Sequence, residues 1–462
     1  MEFDHYSKRT YIILSLAIAP FLTNFIIAAI NIALPSMALD LNMDAVELGW
    51  IPTSYLIALT MFLIPAGKLG DIYGRKKLFN IGLVIFSIGS LLAIFAYTNK
   101  VMILSRVLQG IGSALIFSNL YAIIASLFVH HDRVRALSLI FGVIFLGSVL
   151  GPIIGGFLTF EFGWRSIFEL CTVIGIIGSI LIYKMDVEWF ASKGEKFDLW
   201  GSIIFCISSL CLIYGFSRIN QELNFIFIIL GLTGILVFFR YEKQINNPIF
   251  NLELLRNREF ILNNTATLLE FAPSVPIVFI LSIYLQEVRG TIPYIAGLIL
   301  VLQPITMLFV SIFSGKLDNL IKPRKMVIIA FLVNLIAALI FLSIAETTPI
   351  LVIMLGLIMS GIGSSLFASP NSHLIMSSVG EKHYGTASAT ITTMRGFGGT
   401  VGMSIVLLIL TLFLGNADTA PFDYKTFITS SQIIFLTMGI LYIIGMLVAV
   451  KNGIKGHSKN KI

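Results

Sequence analysis

Charge is what this chain of 462 residues has least of: Asp, Glu, Lys and Arg together make up 12% of it. That is roughly half the share usual in soluble domains. Set against 57% hydrophobic residues, it leaves more apolar surface than soluble cores can hide, which excludes water as the main solvent. Cysteine is scarce too. Cys171, Cys206 and Cys211 all sit in apolar runs, with no CxxC or zinc-ligand spacing, so neither a disulfide scaffold nor a zinc site is expected. No Walker A loop, HExxH or G-x-S-x-G occurs, and the G-x-G runs lie inside apolar segments. No nucleotide site, metal, cofactor or enzyme activity is therefore expected. Disorder is excluded by 37 Phe and 14 Tyr.

Long apolar runs are what the chain has instead. Fourteen of them, from 11–34 to 426–450, are each long enough to cross a hydrocarbon core of about 30 Å as a helix. The first is longer than a leader's apolar core and no small-residue cleavage site follows, so it reads as a retained helix. Of the 31 Lys and Arg residues, 24 fall on the side that carries both termini. The opposite loops hold five: Lys100, Arg165, Arg218, Arg289 and Lys425. By the positive-inside rule both termini are cytoplasmic, and the expected location is a multi-pass place in a prokaryotic cell membrane. The net charge of +7 then belongs to a solvated face near anionic lipid rather than to a nucleic-acid site.

The chain also repeats itself. Gly67-Lys68-Leu69-Gly70-Asp71 returns as Gly315-Lys316-Leu317-Asp318-Asn319, and Gly110-Ile111-Gly112-Ser113 as Gly361-Ile362-Gly363-Ser364. Gly147 and Gly151 return as Gly398 and Gly402. The first six runs thus match the last six, and the two at 199–217 and 223–240 are unmatched. The expected organisation is a six-helix repeat over 1–184, a central insert with two helices over 185–260, and a second six-helix repeat with a tail over 261–462. Two parallel six-helix repeats are a transporter architecture.

The segment from Gly67 to Leu78, read as a loop between the second and third spans, carries Gly67, Asp71, Gly74 and Arg75 in the pattern G-x-L-x-D-x-x-G-R-[RK]-[RK]. This resembles the signature loop of the major facilitator superfamily. The resemblance implies an all-helical polytopic fold in which Asp71 meets the start of a helix in the other half, here near Gly385-Thr386, and latches the cytoplasmic side. Arg106, in Arg106-Val107-Leu108-Gln109-Gly110-Ile111-Gly112, resembles the family's R-x-x-x-G-x-G element, whose arginine is linked to proton transfer. A mid-helix arginine costs about 2.5–3.5 kcal/mol on insertion scales, so it is expected to face a cavity or a partner.

Gly147, Gly151 and Gly155 form a small-residue stripe that lets helices approach closely, and Pro152 invites a kink. With Gly156 the run resembles the G-x-x-x-G-P-x-x-G-G motif of exporting, proton-coupled members. It is the main sign of efflux rather than uptake. Of the acids, Glu270 lies deepest within a span and Glu169 about one turn inside another. Desolvation favours the neutral form of a carboxyl, which suits both to cycling protons. One departure concerns the first helix. Fourteen-span exporters often read L-D-x-T-I-V-N-V-A-L-P there, but Ile26 stands where the aspartate would be. Asn24, Asn31 and Gln109 are the polar residues expected to line the substrate cavity.

The resemblance implies a fourteen-span drug:proton antiporter, exporting small amphipathic or cationic compounds by alternating access and working as a monomer. Its partners would be a small-molecule substrate, protons and lipid. A dedicated exporter of an amino acid, peptide or siderophore is the alternative within transport; a non-transporting sensor or structural subunit is the alternative of another class.

Overall fold

In hydrocarbon a backbone must satisfy its own polar groups, so runs this apolar close their hydrogen bonds as helices. A computed structural model describes residues 2–127, 130–217, 224–245, 254, 256–317, 321–379, 384–414 and 423–456, and no strand occurs among them. The first six helices are α1 (Glu2–Leu41), α2 (Ala45–Tyr73), α3 (Arg75–Ile94), α4 (Asn99–Leu127), α5 (His130–Phe162) and α6 (Arg165–Tyr183). Then come α7 (Leu199–Ser217) and α8 (Asn224–Glu242). The rest are α9 (Arg258–Ser274), α10 (Pro276–Ile283), α11 (Pro293–Leu300), α12 (Leu302–Leu317), α13 (Pro323–Leu342), α14 (Ile350–Ser377), α15 (Tyr384–Leu414) and α16 (Tyr424–Gly456). Among the described residues 13 helical stretches are long and apolar enough to cross a membrane. The 19-residue α7 supplies the fourteenth crossing. An even number puts both chain ends on one face, here the terminal face; the other is the far face.

Two crossings are broken, and both breaks follow from proline. Pro276 has no N–H for the carbonyl of Ala272, so α9 gives way to α10 at Val275. A π-helical turn, Tyr284–Val288, ends that crossing. Pro304 likewise leaves the carbonyl of Leu300 without its partner, and α11 gives way to α12 at Val301.

The two-repeat architecture shows in matched packing. A Cβ added at Gly147 would meet the Phe21 carbonyl oxygen at 2.6 Å, and one at Gly398 the Leu268 carbonyl oxygen at 2.7 Å. At Gly151 it would meet the Phe25 carbonyl oxygen at 2.8 Å, and at Gly402 that of Ala272. So α5 rests on α1 as α15 rests on α9, glycine against backbone. Gly402 also covers the carbonyl that Pro276 leaves without a donor.

The unmatched helices pair with each other through Phe205 and Phe238, 5.3 Å between ring centroids. On their other side α7 lies along the seam of α2 and α15: Tyr214 meets Trp50 at 6.2 Å, and Phe205 meets Phe397 at 6.3 Å. Their lipid-facing surfaces stay apolar, with Leu232 and Leu236 exposed.

The presumed loop from Gly67 to Leu78 is mostly helix. α2 continues to Tyr73 and α3 begins at Arg75, so the turn is the single residue Gly74 at φ 111°. That left-handed backbone favours glycine. The Glu188 carboxylate explains the second constraint. It accepts from the backbone N–H of Lys76 at 2.8 Å and Lys77 at 3.1 Å, capping α3, and a Cβ at Gly74 would stand 2.7 Å from its carboxyl carbon. The segment after α6 therefore straps the turn. Ala191 and Ser192 donate their N–H groups to the Asp71 carbonyl, and Lys68 donates to Glu195 at 2.7 Å, holding that carboxyl below its ordinary range.

Candidate functional site

A cavity of about 250 Å³ lies between the repeats. The broken crossings supply one wall, with Phe271, Val275 and Phe279 beside the first break and Gln303, Pro304 and Met307 beside the second. Helices α1, α2 and α4 supply Asn31, Tyr55 and Arg106, and α14 supplies Ser364.

Arg106 is 1% exposed overall. Its Nε donates to the Ile51 carbonyl at 3.2 Å, Nη1 donates to Gln109 Oε1, and the guanidinium lies 4.5 Å from the centre of the Tyr55 ring. Gln109 is held in turn by donating to Ser90 at 2.8 Å, and Tyr55 by donating its hydroxyl to Ser113 at 2.8 Å. These contacts fix the arginine but bring no carboxylate to it. Ile26, where an aspartate was the alternative, is fully buried.

Glu270 lies in α9, the first helix of the second repeat. It is 1% exposed and set back from the cavity surface. Asn334 Nδ2 donates to Oε1 at 2.9 Å and Oε2 at 3.0 Å, and the Ser364 hydroxyl donates to Oε1 at 3.0 Å. Ser364, the counterpart of Ser113 in the repeat, lines the cavity. One hydroxyl thus separates the buried acid from the space a solute would occupy. A side chain at Gly363 would collide with the Asn334 amide, so the glycine makes room for the acid's main partner.

The other expected site residues are more scattered. Asn31 lines the cavity, with Nδ2 donating to the Ile27 carbonyl at 3.0 Å. Asn24 instead donates to the Pro20 carbonyl at 2.9 Å and sits against Gly147, and Gln109 lies behind Arg106. Glu169 is on an exposed face of α6. Asp71 pairs with Arg75, Oδ1 to Nη2 at 2.6 Å, and Arg75 also donates to the Ala122 carbonyl at 3.1 Å and Ser126 at 2.7 Å. The side chains of Gly385-Thr386, the expected receivers of Asp71, lie outside the described residues. Gly67 sits within α2 at van der Waals distance from Ser118.

The glycine-proline run joins the repeats as well as packing α5 on α1. A Cβ at Gly155 would stand 2.6 Å from that of Ala29, one at Gly156 would stand 2.8 Å from the Pro293 carbonyl oxygen, and Gly297 rests on the Pro152 carbonyl. Nearby, Ser282 donates to the Asn31 carbonyl, and Gln286 to that of Ile32 at 2.9 Å. These contacts lie toward the far face. Thr60 and Thr400, 3.5 Å apart, join the repeats at mid-helix.

Two side chains stand out that the sequence did not single out. Asn334 is the acid's main partner; an asparagine inside the apolar run of α13 was the available signal. Arg395, three turns into α15, stacks on Phe271 at 5.3 Å and donates to Ser372 at 3.3 Å.

Paired repeats around a solute-sized cavity, with broken helices at its wall, define a secondary transporter fold. The chain belongs to the Major Facilitator Superfamily, whose family profile it matches over residues 16–403 and again over 265–459. It is 25% identical over 400 residues to the riboflavin transporter RibZ of Clostridioides difficile, covering 86% of this chain and 87% of that one. It is 27% identical over 404 residues to multidrug resistance protein 3 of Bacillus subtilis, covering 83% and 78%. Among solved structures, a peptide transporter POT mutant in complex with alafosfalin superposes with a TM-score of 0.72 at 15% identity, over 96% of this chain and 94% of that one. The chain is thus a multi-pass membrane transporter and not an enzyme.

Proposed function

We propose that this transporter exports small amphipathic compounds in exchange for protons. The observation that carries the reading is Glu270, a buried acid separated from the cavity by the hydroxyl of Ser364. Such an acid can take a proton when the cavity faces one side and release it when the cavity faces the other. The terminal face is the cytoplasmic one, on the Lys and Arg count. The contacts at Gly156, Gly297, Ser282 and Gln286 then close the outer side, and the cavity takes its solute from within. On the return stroke Asp71 leaves Arg75 for the start of α15, where a helix N-terminus favours a carboxylate, and so latches the cytoplasmic side. The moving bodies are 1–184 and 261–462, with 185–260 as the insert and its links. Arg106 supports coupling from the first half.

The test is efflux of the amphipathic dye N-phenyl-naphthylamine from proteoliposomes. Under an imposed pH gradient the reconstituted protein is expected to drive the dye uphill; efflux indifferent to the gradient contradicts the reading. A dedicated exporter of one metabolite is a second reading, favoured by the named riboflavin transporter among the relatives.

A further inference from the structure

Arg106 is the one charged side chain lining the cavity among the described residues. Its Nε and Nη1 have protein acceptors, and no described residue accepts from Nη2. The titratable groups that face it are Tyr55 and Cys171, neither a carboxylate. A second guanidinium, Arg395, does not line the cavity but stacks on the lining ring of Phe271. Its Nε is buried without an acceptor among the described residues, and the titratable group that faces it is Tyr121. The nearby acid, Glu270, is turned into its own repeat and held there by Asn334 and Ser364. With Ile26 in the first helix, α1 brings no acid to the cavity either.

A desolvated cation with no counter-charge is costly unless something pairs with it. The cavity has one such cation on its wall, Arg106 beside the Tyr55 ring, and a second, Arg395, stacked on the lining ring of Phe271. We infer that the preferred substrates are amphipathic anions, an aromatic or apolar body carrying one carboxylate or comparable acidic group, and that Arg106 binds that group. Arg395 meets it earlier, on the way in from the terminal face. This rests on the export reading and narrows it, since cationic amphiphiles are then the disfavoured class.

A matched set of probes with one ring system tests the charge preference: naphthylacetate, naphthylacetamide and naphthylmethylammonium, titrated calorimetrically into the full-length protein in detergent. Charge-assisted hydrogen bonds to a guanidinium that has no carboxylate partner favour the anion over the ammonium by about tenfold or more. Arg106→Gln is expected to remove that preference and Arg395→Gln to narrow it, so the second variant decides if the first fails to fold. Equal binding of the three probes, tighter binding of the ammonium, no binding of any, or an unchanged preference in Arg395→Gln overturns the inference. The export reading fails separately: it falls if dye efflux ignores the pH gradient, whatever the probes do.

Discussion

At the residue scale the decisive groups are few. Asn334 donates to both oxygens of Glu270, and a hydrogen bond to a charged group is worth about 1.5–3 kcal/mol. Asn334→Leu is therefore expected to cut proton-driven efflux by roughly tenfold or more while leaving downhill exchange measurable. Equal uphill rates for the variant and the parent protein would remove Asn334 from the coupling site. Asp71→Asn should leave insertion and expression intact and cripple transport, because its carboxylate is assigned to the latch rather than to folding. Normal efflux by a normally expressed Asp71→Asn protein sinks that assignment. Arg106 and Glu270 were legible in the sequence because a charge inside an apolar run stands out against its neighbours. Asn334 was not, since a single amide in a transmembrane helix is common, and only the fold brings α13 to α9. Arg395 was visible as a charge at a span's edge, but nothing local showed that it stacks on Phe271.

At the scale of elements, the spans and the glycine stripe could be read ahead. Length and hydropathy set the first, and the repeat Gly147, Gly151 against Gly398, Gly402 set the second. The breaks at Val275 and Val301 escaped, because apolar periodicity runs straight through a proline. So did the strap from the segment after α6, which rests on Glu188 reaching the start of α3 across more than a hundred residues. Losing a cap of this kind costs about 1 kcal/mol. Glu188→Ala is accordingly expected to lower the melting temperature modestly and to open the α2–α3 turn to proteolysis. An unchanged digestion pattern counts against the strap. Arg165 was read only as a positive charge in an outer loop. In the fold it pairs with Asp40, donates to the carbonyls of Ile94 at 3.1 Å and Ala96 at 2.9 Å, and lies over Trp164. It ties the far ends of α1, α3 and α6, contacts that sequence spacing cannot reveal.

At the scale of the whole molecule the insert is a test of its own. Removing 199–240 takes out an even number of crossings and is expected to leave a protein that inserts, at some loss of stability, because α7 covers the seam of α2 and α15 through Phe205 and Tyr214. Failure of this deletion alongside tolerance of removing α15 and α16 would show that the insert belongs to the fold's core. If a proton on Glu270 drives export, neutralising that side chain must abolish the coupling. Uphill efflux of N-phenyl-naphthylamine is measured from proteoliposomes holding either the parent protein or Glu270→Gln, with and without an imposed pH gradient. Gradient-driven efflux is expected for the parent protein alone, with downhill exchange kept by the variant; uphill pumping by Glu270→Gln under the gradient would contradict proton coupling through Glu270.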